Sequence, residues 1–165
     1  MDLMTHVTDY PVLSAIIQVI GAYLASYFAS ISLEAPRSLV VKAGTIGAIG
    51  YAIYIIMGLR LEDTLATFTA CLIVSLISHW AARRFKAPVT IFYIPAFFPF
   101  VPGSAIYQTA FNFIDGNVQL AGHYLVTTFQ IAGAIALGVF IADSTIEIYN
   151  TVRRKLAQKR MKEKA

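Results

Sequence analysis

Between Ile94 and Asn112 the sequence IPAFFPFVPGSAIYQTAFN sets three prolines, a glycine and a series of polar side chains inside an apolar run long enough to cross a membrane. Pro95, Pro99 and Pro102 follow an i, i+4, i+7 spacing. Proline lacks the amide that would bond the carbonyl four residues earlier, and it pushes the preceding residue away from helical angles. The carbonyls this leaves unpartnered, those of Ile91, Pro95 and Phe98, fall on one stripe. Inside a bilayer such a stripe is tolerated only where protein or a polar cavity satisfies it, and a solute or ion would do so as well. Gly103 and Ser104 suit the cap of a second helical segment, leaving the amides of Ala105, Ile106 and Tyr107 free. The two half-helices then meet with opposite partial charge, carbonyls at the negative end of the first and amides at the positive end of the second. An amino-acid zwitterion complements both, its carboxylate on the amides after Gly103 and its ammonium near the carbonyls of Pro95 and Phe98. Ser104, Gln108 and Asn112 recur at i, i+4, i+8, one polar face that could bond a side-chain hydroxyl. The competing reading is a Pro-Gly kink that serves helix packing alone.

Few other residues carry chemistry. Asp143 is the acid nearest the bilayer in the last apolar segment; it is either a proton-coupling group or an interfacial cap or pair. His79 stands beside Trp80 and the cluster Arg83, Arg84 and Lys86, which suits an interfacial role at least as well as a proton shuttle. His6, His79 and His123 are scattered, and no metal-ligand spacing, GxSxG, P-loop or GxGxxG occurs. The expectation is a protein that is not an enzyme, with no cofactor and no metal. Cys71, the single cysteine, lies in an apolar run and reads as a small buried residue.

The elements that must position these residues are membrane spans in a single domain, residues 1–165. The chain of 165 residues is 58% hydrophobic and 13% charged, about half the charged fraction of a soluble domain. Five transmembrane helices are expected, making an all-α integral membrane protein: about 11–33, 36–59, 64–82, 88–114 with the break inside it, and 120–142. Asp9 is placed to cap the first and Asp63 the third, while Pro11 and Pro36 suit first turns. The N-terminus is acidic and lacks the basic region of a secretory signal, so the first apolar segment is expected to stay in the mature protein. Gly44, Gly47 and Gly50 sit three apart in the second span, as a close-packing seam or as a hinge.

The net charge of +4 sits in loops and in a basic tail, residues 150–165, so it signals topology, not a nucleic-acid partner. With the tail in the cytoplasm and the N-terminus out, five crossings leave only Arg60 of the thirteen Lys and Arg residues on the far side. A re-entrant fourth segment, with four crossings, would put either the tail or the first loop's positive charges outside. Two half-helices of about 16 Å each would meet near the middle of a roughly 30 Å hydrocarbon core. Broken helices of this kind line the substrate sites of secondary transporters.

These residues resemble the threonine/serine exporter family. IPAFFPFVPGSAIYQTAF is similar to the family's proline-rich signature, most specifically at Pro95, Pro102, Gly103 and Tyr107, and EAPRSLVVKAGTIGAIGYAIYIIM is similar to its second helix. The likeness covers about Ala35 to Val139. It implies two unequal five-helix halves in full-length members, with this chain corresponding to the C-terminal half. It therefore implies a small subunit that works with a larger membrane partner carrying the N-terminal half. Export of threonine, serine or related small solutes across the bacterial inner membrane, driven by the proton-motive force, is the activity implied. The substrate-binding set would be Pro95, Phe98, Pro102, Gly103, Ser104, Tyr107, Gln108 and Asn112. Coupling residues housed in the missing half cannot be read from this chain. The alternatives are a non-transporting subunit that stabilises or regulates the larger partner, and a homo-oligomeric channel.

Overall fold

The computed structural model of the chain describes residues 11–162; Asp9, expected as a cap, and His6 lie outside them. The described residues form helices α1 (Pro11–Ser32), α2 (Arg37–Gly58), α3 (Asp63–Phe85), α4 (Thr90–Phe97), a 3-10 turn (Phe98–Phe100), α5 (Gly103–Ile114) and α6 (Val118–Lys162). Helices α1, α2, α3 and the Val118–Arg153 part of α6 are each long and apolar enough to cross a membrane. The pair Thr90–Phe100 and Gly103–Ile114, bent by 47°, adds a fifth if it is one span.

Three helix ends are closed in the same way. Glu34 and Lys86 adopt left-handed angles, φ 54° and 53°, and Gly116 does so at φ 81°. Each is followed by an amide that reaches back to a carbonyl of the last turn: Ala35 to Ser30, Ala87 to Ala82 and Asn117 to Asn112. Only at Gly116 does a glycine relieve the strain of that conformation. Helix α3 outruns its expected end at Ala82, and Arg83 and Arg84 occupy its last turn, where cations favour the dipole. Asp63 is the first helical residue and not the cap; Glu62 holds that position without a side-chain bond. The largest difference is in α6, which continues through Asp143 and the basic tail as far as Lys162. After Gly138 the sequence has neither glycine nor proline, so nothing local stops it.

The core is built around α4. Phe92, Ala96 and Phe100 are buried with Leu39, Ala43 and Ile46 of α2 and Ala70, Cys71, Val74 and Ala81 of α3. The α2 glycines make this possible as a packing seam. A Cβ at Gly44 would come within 3.2 Å of the Tyr23 ring, one at Gly47 would collide with Ser26, and one at Gly50 with Val74. The hinge alternative for these glycines finds no support, since each is filled against a neighbouring helix.

A second seam joins α3 to α6. A Cβ at Gly138 would lie 3.0 Å from the Phe68 carbonyl oxygen and 3.1 Å from the Leu72 amide, so the backbones touch there. Further along, His79 meets Asp143 and Arg83 meets Asn150. Both residue series ascend together, so α3 and α6 run parallel. From this contact α6 extends back about 30 Å to Val118, whereas α3 extends back only about 10 Å to Asp63. Helix α5 accordingly packs on α6 and stands clear of the bundle that holds α4.

Candidate functional site

The two arms of the broken segment end differently from what their prolines alone suggest. Pro95 is buried within α4. Beyond it the chain tightens instead of fraying: the Phe98 amide donates to the Pro95 carbonyl, and the Val101 amide donates to the Phe98 carbonyl at 3.3 Å. The 3-10 turn thus occupies two of the three carbonyls expected to be free. An i to i+3 bond needs the amide of residue 98 or 101, and neither is a proline. Pro99 and Pro102 remove only the amides that longer-range helical bonds would have used.

The second arm keeps its free donors, displaced in position. Pro102 caps α5 without offering a side-chain acceptor. The Gly103 amide bonds the Val101 carbonyl at 2.7 Å, and the Ile106 amide bonds the Pro102 carbonyl at 3.0 Å. The amides of Ser104 and Ala105 have no backbone partner among the described residues. The expected set of Ala105, Ile106 and Tyr107 is therefore corrected to Ser104 and Ala105, because α5 starts at Gly103 and its first helical bond claims Ile106.

The polar face of α5 is graded by burial. Ser104 is exposed, Gln108 is half-buried and Asn112 is buried. Asn112 Nδ2 donates to the Gln108 carbonyl at 2.7 Å and reaches Gln108 Oε1 at 3.3 Å. Asn112 is thereby committed to its own helix and holds the Gln108 side chain, one turn beyond Ser104. Tyr107 is exposed and stacks on Phe111 with ring centroids 6.1 Å apart; Phe98 is also exposed. A Cβ at Gly103 would meet nothing within 4 Å, so space adjoins the break on this side. Cavities of about 480 Å³ at Tyr27, Glu34 and Arg37 and about 340 Å³ between Val12 and Ile56 lie away from it.

Two polar features outside the break have no local sequence signal. His79 Nε2 and Asp143 Oδ1 lie 2.6 Å apart across the α3–α6 seam, a pairing of residues 64 positions apart. Asp143, on α6, is thus paired with a residue of α3. The Ser26 and Ser78 hydroxyls are buried and have no partner among the described residues. Among those residues no group of three His, Cys, Asp or Glu side chains could hold a metal.

The profile of a family described as "Threonine/Serine exporter, ThrE" matches residues 18–145, which contain α2 to α5 with the whole break, most of α1 and the first part of α6. No curated protein sequence and no solved structure matches the chain.

Proposed function

The chain belongs to the threonine/serine exporter family, and from that premise we propose that it is a subunit of a secondary-active exporter of small amino acids, threonine and serine foremost, in the bacterial inner membrane. Its work is transport without covalent chemistry. The observation that carries this reading is the pair of unpartnered amides, Ser104 and Ala105, at the start of a helix inside an apolar segment. Backbone donors in lipid require a partner, and a helix start favours an anion. The substrate carboxylate sits on these two amides, and the Ser104 hydroxyl and Gln108 amide meet its side-chain hydroxyl. The ammonium uses the second lone pairs of the Pro95 and Phe98 carbonyls. Gly103 gives the carboxylate room, Pro95 and Pro102 fix the two arms, and Phe98, Tyr107 and Asn112 frame the site.

The parallel course of α3 and α6 supports five crossings. For α6 to run in the same direction as α3, α4, the 3-10 turn and α5 must return the chain across the membrane. The N-terminus is then outside and the basic end inside. Helix α5 and the start of α6 stand clear of the bundle, presenting the break to whatever lies beside it. A larger membrane subunit carrying the N-terminal half of the exporter fills that place and completes the site.

The test is threonine transport in vesicles from cells expressing both subunits. Ser104→Ala with Gln108→Ala is expected to raise the concentration for half-maximal flux about tenfold, in line with the loss of one to two hydrogen bonds. Unchanged kinetics with the complex intact would instead assign this chain a stabilising, non-transporting role.

A further inference from the structure

The substrate site makes no use of the polar seam between α3 and α6, and the pairing there is unusual. His79 Nε2 faces Asp143 Oδ1 at 2.6 Å; one turn further along α3, Arg83 Nη2 donates to Asn150 Oδ1 at 3.4 Å. A seam built only to hold two helices together would set the permanent cation against the carboxylate. Here the arrangement is crossed. The guanidinium, which keeps its proton at any physiological pH, faces a neutral amide, whereas the carboxylate faces an imidazole, whose charge changes between about pH 5 and 8. This is the one ion pair among the described residues.

The surrounding charges leave that pair to itself. From α2, Lys42 lies over the Phe85 ring at 3.8 Å, and Arg84 lies 5.8 Å from the same ring. Lys86 is the left-handed cap of α3. On α6, Glu147 stands one turn beyond Asp143 and is exposed. On α4, which packs on α3, the titratable group is Tyr93. Tyr93 is two residues before Pro95, on the arm that leads into the break. His79 is 19% exposed and Asp143 43%, so solvent reaches the pair mainly from the carboxylate side.

We propose that His79 and Asp143 form a proton-binding site, and that its occupancy sets how firmly α3 holds α6 at this level. The step balances simply. The imidazolium gives one ring proton to water; imidazole is left neutral, the carboxylate stays ionised, and the charge of the pair falls from zero to minus one. A carboxylate that has lost its cationic partner is held less firmly, so deprotonation weakens the hold of α3 on α6 at this level. The use of this device rests on the exporter reading: an exporter needs an energy source, and this chain has no P-loop. One proton carried per cycle by the pair supplies it.

The experiment compares, in vesicles containing this chain and its larger subunit, threonine exchange at equal pH with uphill threonine movement driven by an imposed pH gradient. His79→Arg keeps a charged clasp but cannot release a proton. The ratio of gradient-driven flux to exchange is expected to fall about tenfold in His79→Arg, a typical coupling between two sites, and likewise in His79→Gln and Asp143→Asn. Arg83→Gln leaves the ratio at the wild-type value. A purely structural pair would lower both fluxes together or, in His79→Arg, neither, and an unchanged ratio overturns the proposal. A second measurement does not depend on transport. In the full chain in lipid nanodiscs, the nitrogen resonances of the His79 ring are followed from pH 5 to 9. They are expected to change with pH, and to respond differently in Asp143→Asn. A ring that does not titrate, or whose titration ignores Asp143, overturns the proton site. If the ring behaves as expected while wild-type vesicles move no threonine in either mode, the exporter reading falls and the proton site stands.

Discussion

The two arms of the broken segment, α4 with its 3-10 turn and α5, come from one continuous apolar stretch and face opposite demands. On the first arm Phe92, Pro95, Ala96 and Phe100 are buried among α1, α2 and α3, and the carbonyls of Pro95 and Phe98 are bonded. On the second arm Ile106, Tyr107, Phe111, Phe113 and Ile114 are exposed, two amides are unpartnered, and α6 is the packing neighbour. The first arm is therefore fixed by packing and the second by what it has yet to meet. In a bilayer, close contact and satisfied backbone groups stabilise helix association, since lipid itself is apolar. The first arm has both on three sides, whereas the second packs on α6 and keeps two amides without a backbone partner among the described residues. A transporter subunit gains from this division: one arm gives the site a rigid reference and the other keeps donors available.

Three substitutions break or sharpen the contrast. The largest effect is expected from Phe92→Ala, which empties the core beneath the first arm. It should cost about 3 kcal/mol, the low end for such truncations, because lipid removes part of the water-transfer penalty. Unfolding of the purified chain in mixed detergent micelles measures it. An effect below 1 kcal/mol, on the scale of an ordinary surface change, would mean that the first arm is not the anchor. Next comes Asn112→Leu, which removes the bonds to the Gln108 carbonyl and side chain. About 1 kcal/mol of stability is expected to be lost in the same assay. Transport should fall further than stability does, because Gln108 loses the group that holds it. The smallest effect belongs to Gly103→Ala. Its Cβ would meet nothing within 4 Å, so stability should stay within about 0.5 kcal/mol of wild type. A large destabilisation there would show that the second arm is as tightly packed as the first. A loss of threonine affinity at unchanged stability would locate the substrate beside Gly103.

Much of this organisation was legible in the sequence for local reasons. Long apolar runs bounded by Pro11, Pro36 and Asp63 marked three spans to within a few residues, and the prolines and Gly103 marked the break. The three α2 glycines marked a seam because small residues three apart share a helix face. Other features were not legible. The bonding of the Pro95 and Phe98 carbonyls depends on the backbone choosing 3-10 geometry, which proline spacing permits but does not require. The continuation of α6 beyond its apolar span is not legible, because a charged stretch reads as a loop beside an apolar span. Yet Glu147, Arg153, Arg154 and Lys155 are good helix formers in a stretch with no breaker.

The sequence by itself determined that this is a multi-span helical chain with one interrupted segment, since hydropathy and proline chemistry act over a few residues and need no partner. Only the tertiary structure decided which arm of that segment is buried, which backbone groups remain free, and that His79 meets Asp143. Those outcomes follow from helices packing across gaps of tens of residues. The Gly138 contact brings α3 and α6 together in parallel, and that register chooses the imidazole, not the guanidinium, as the partner of the carboxylate.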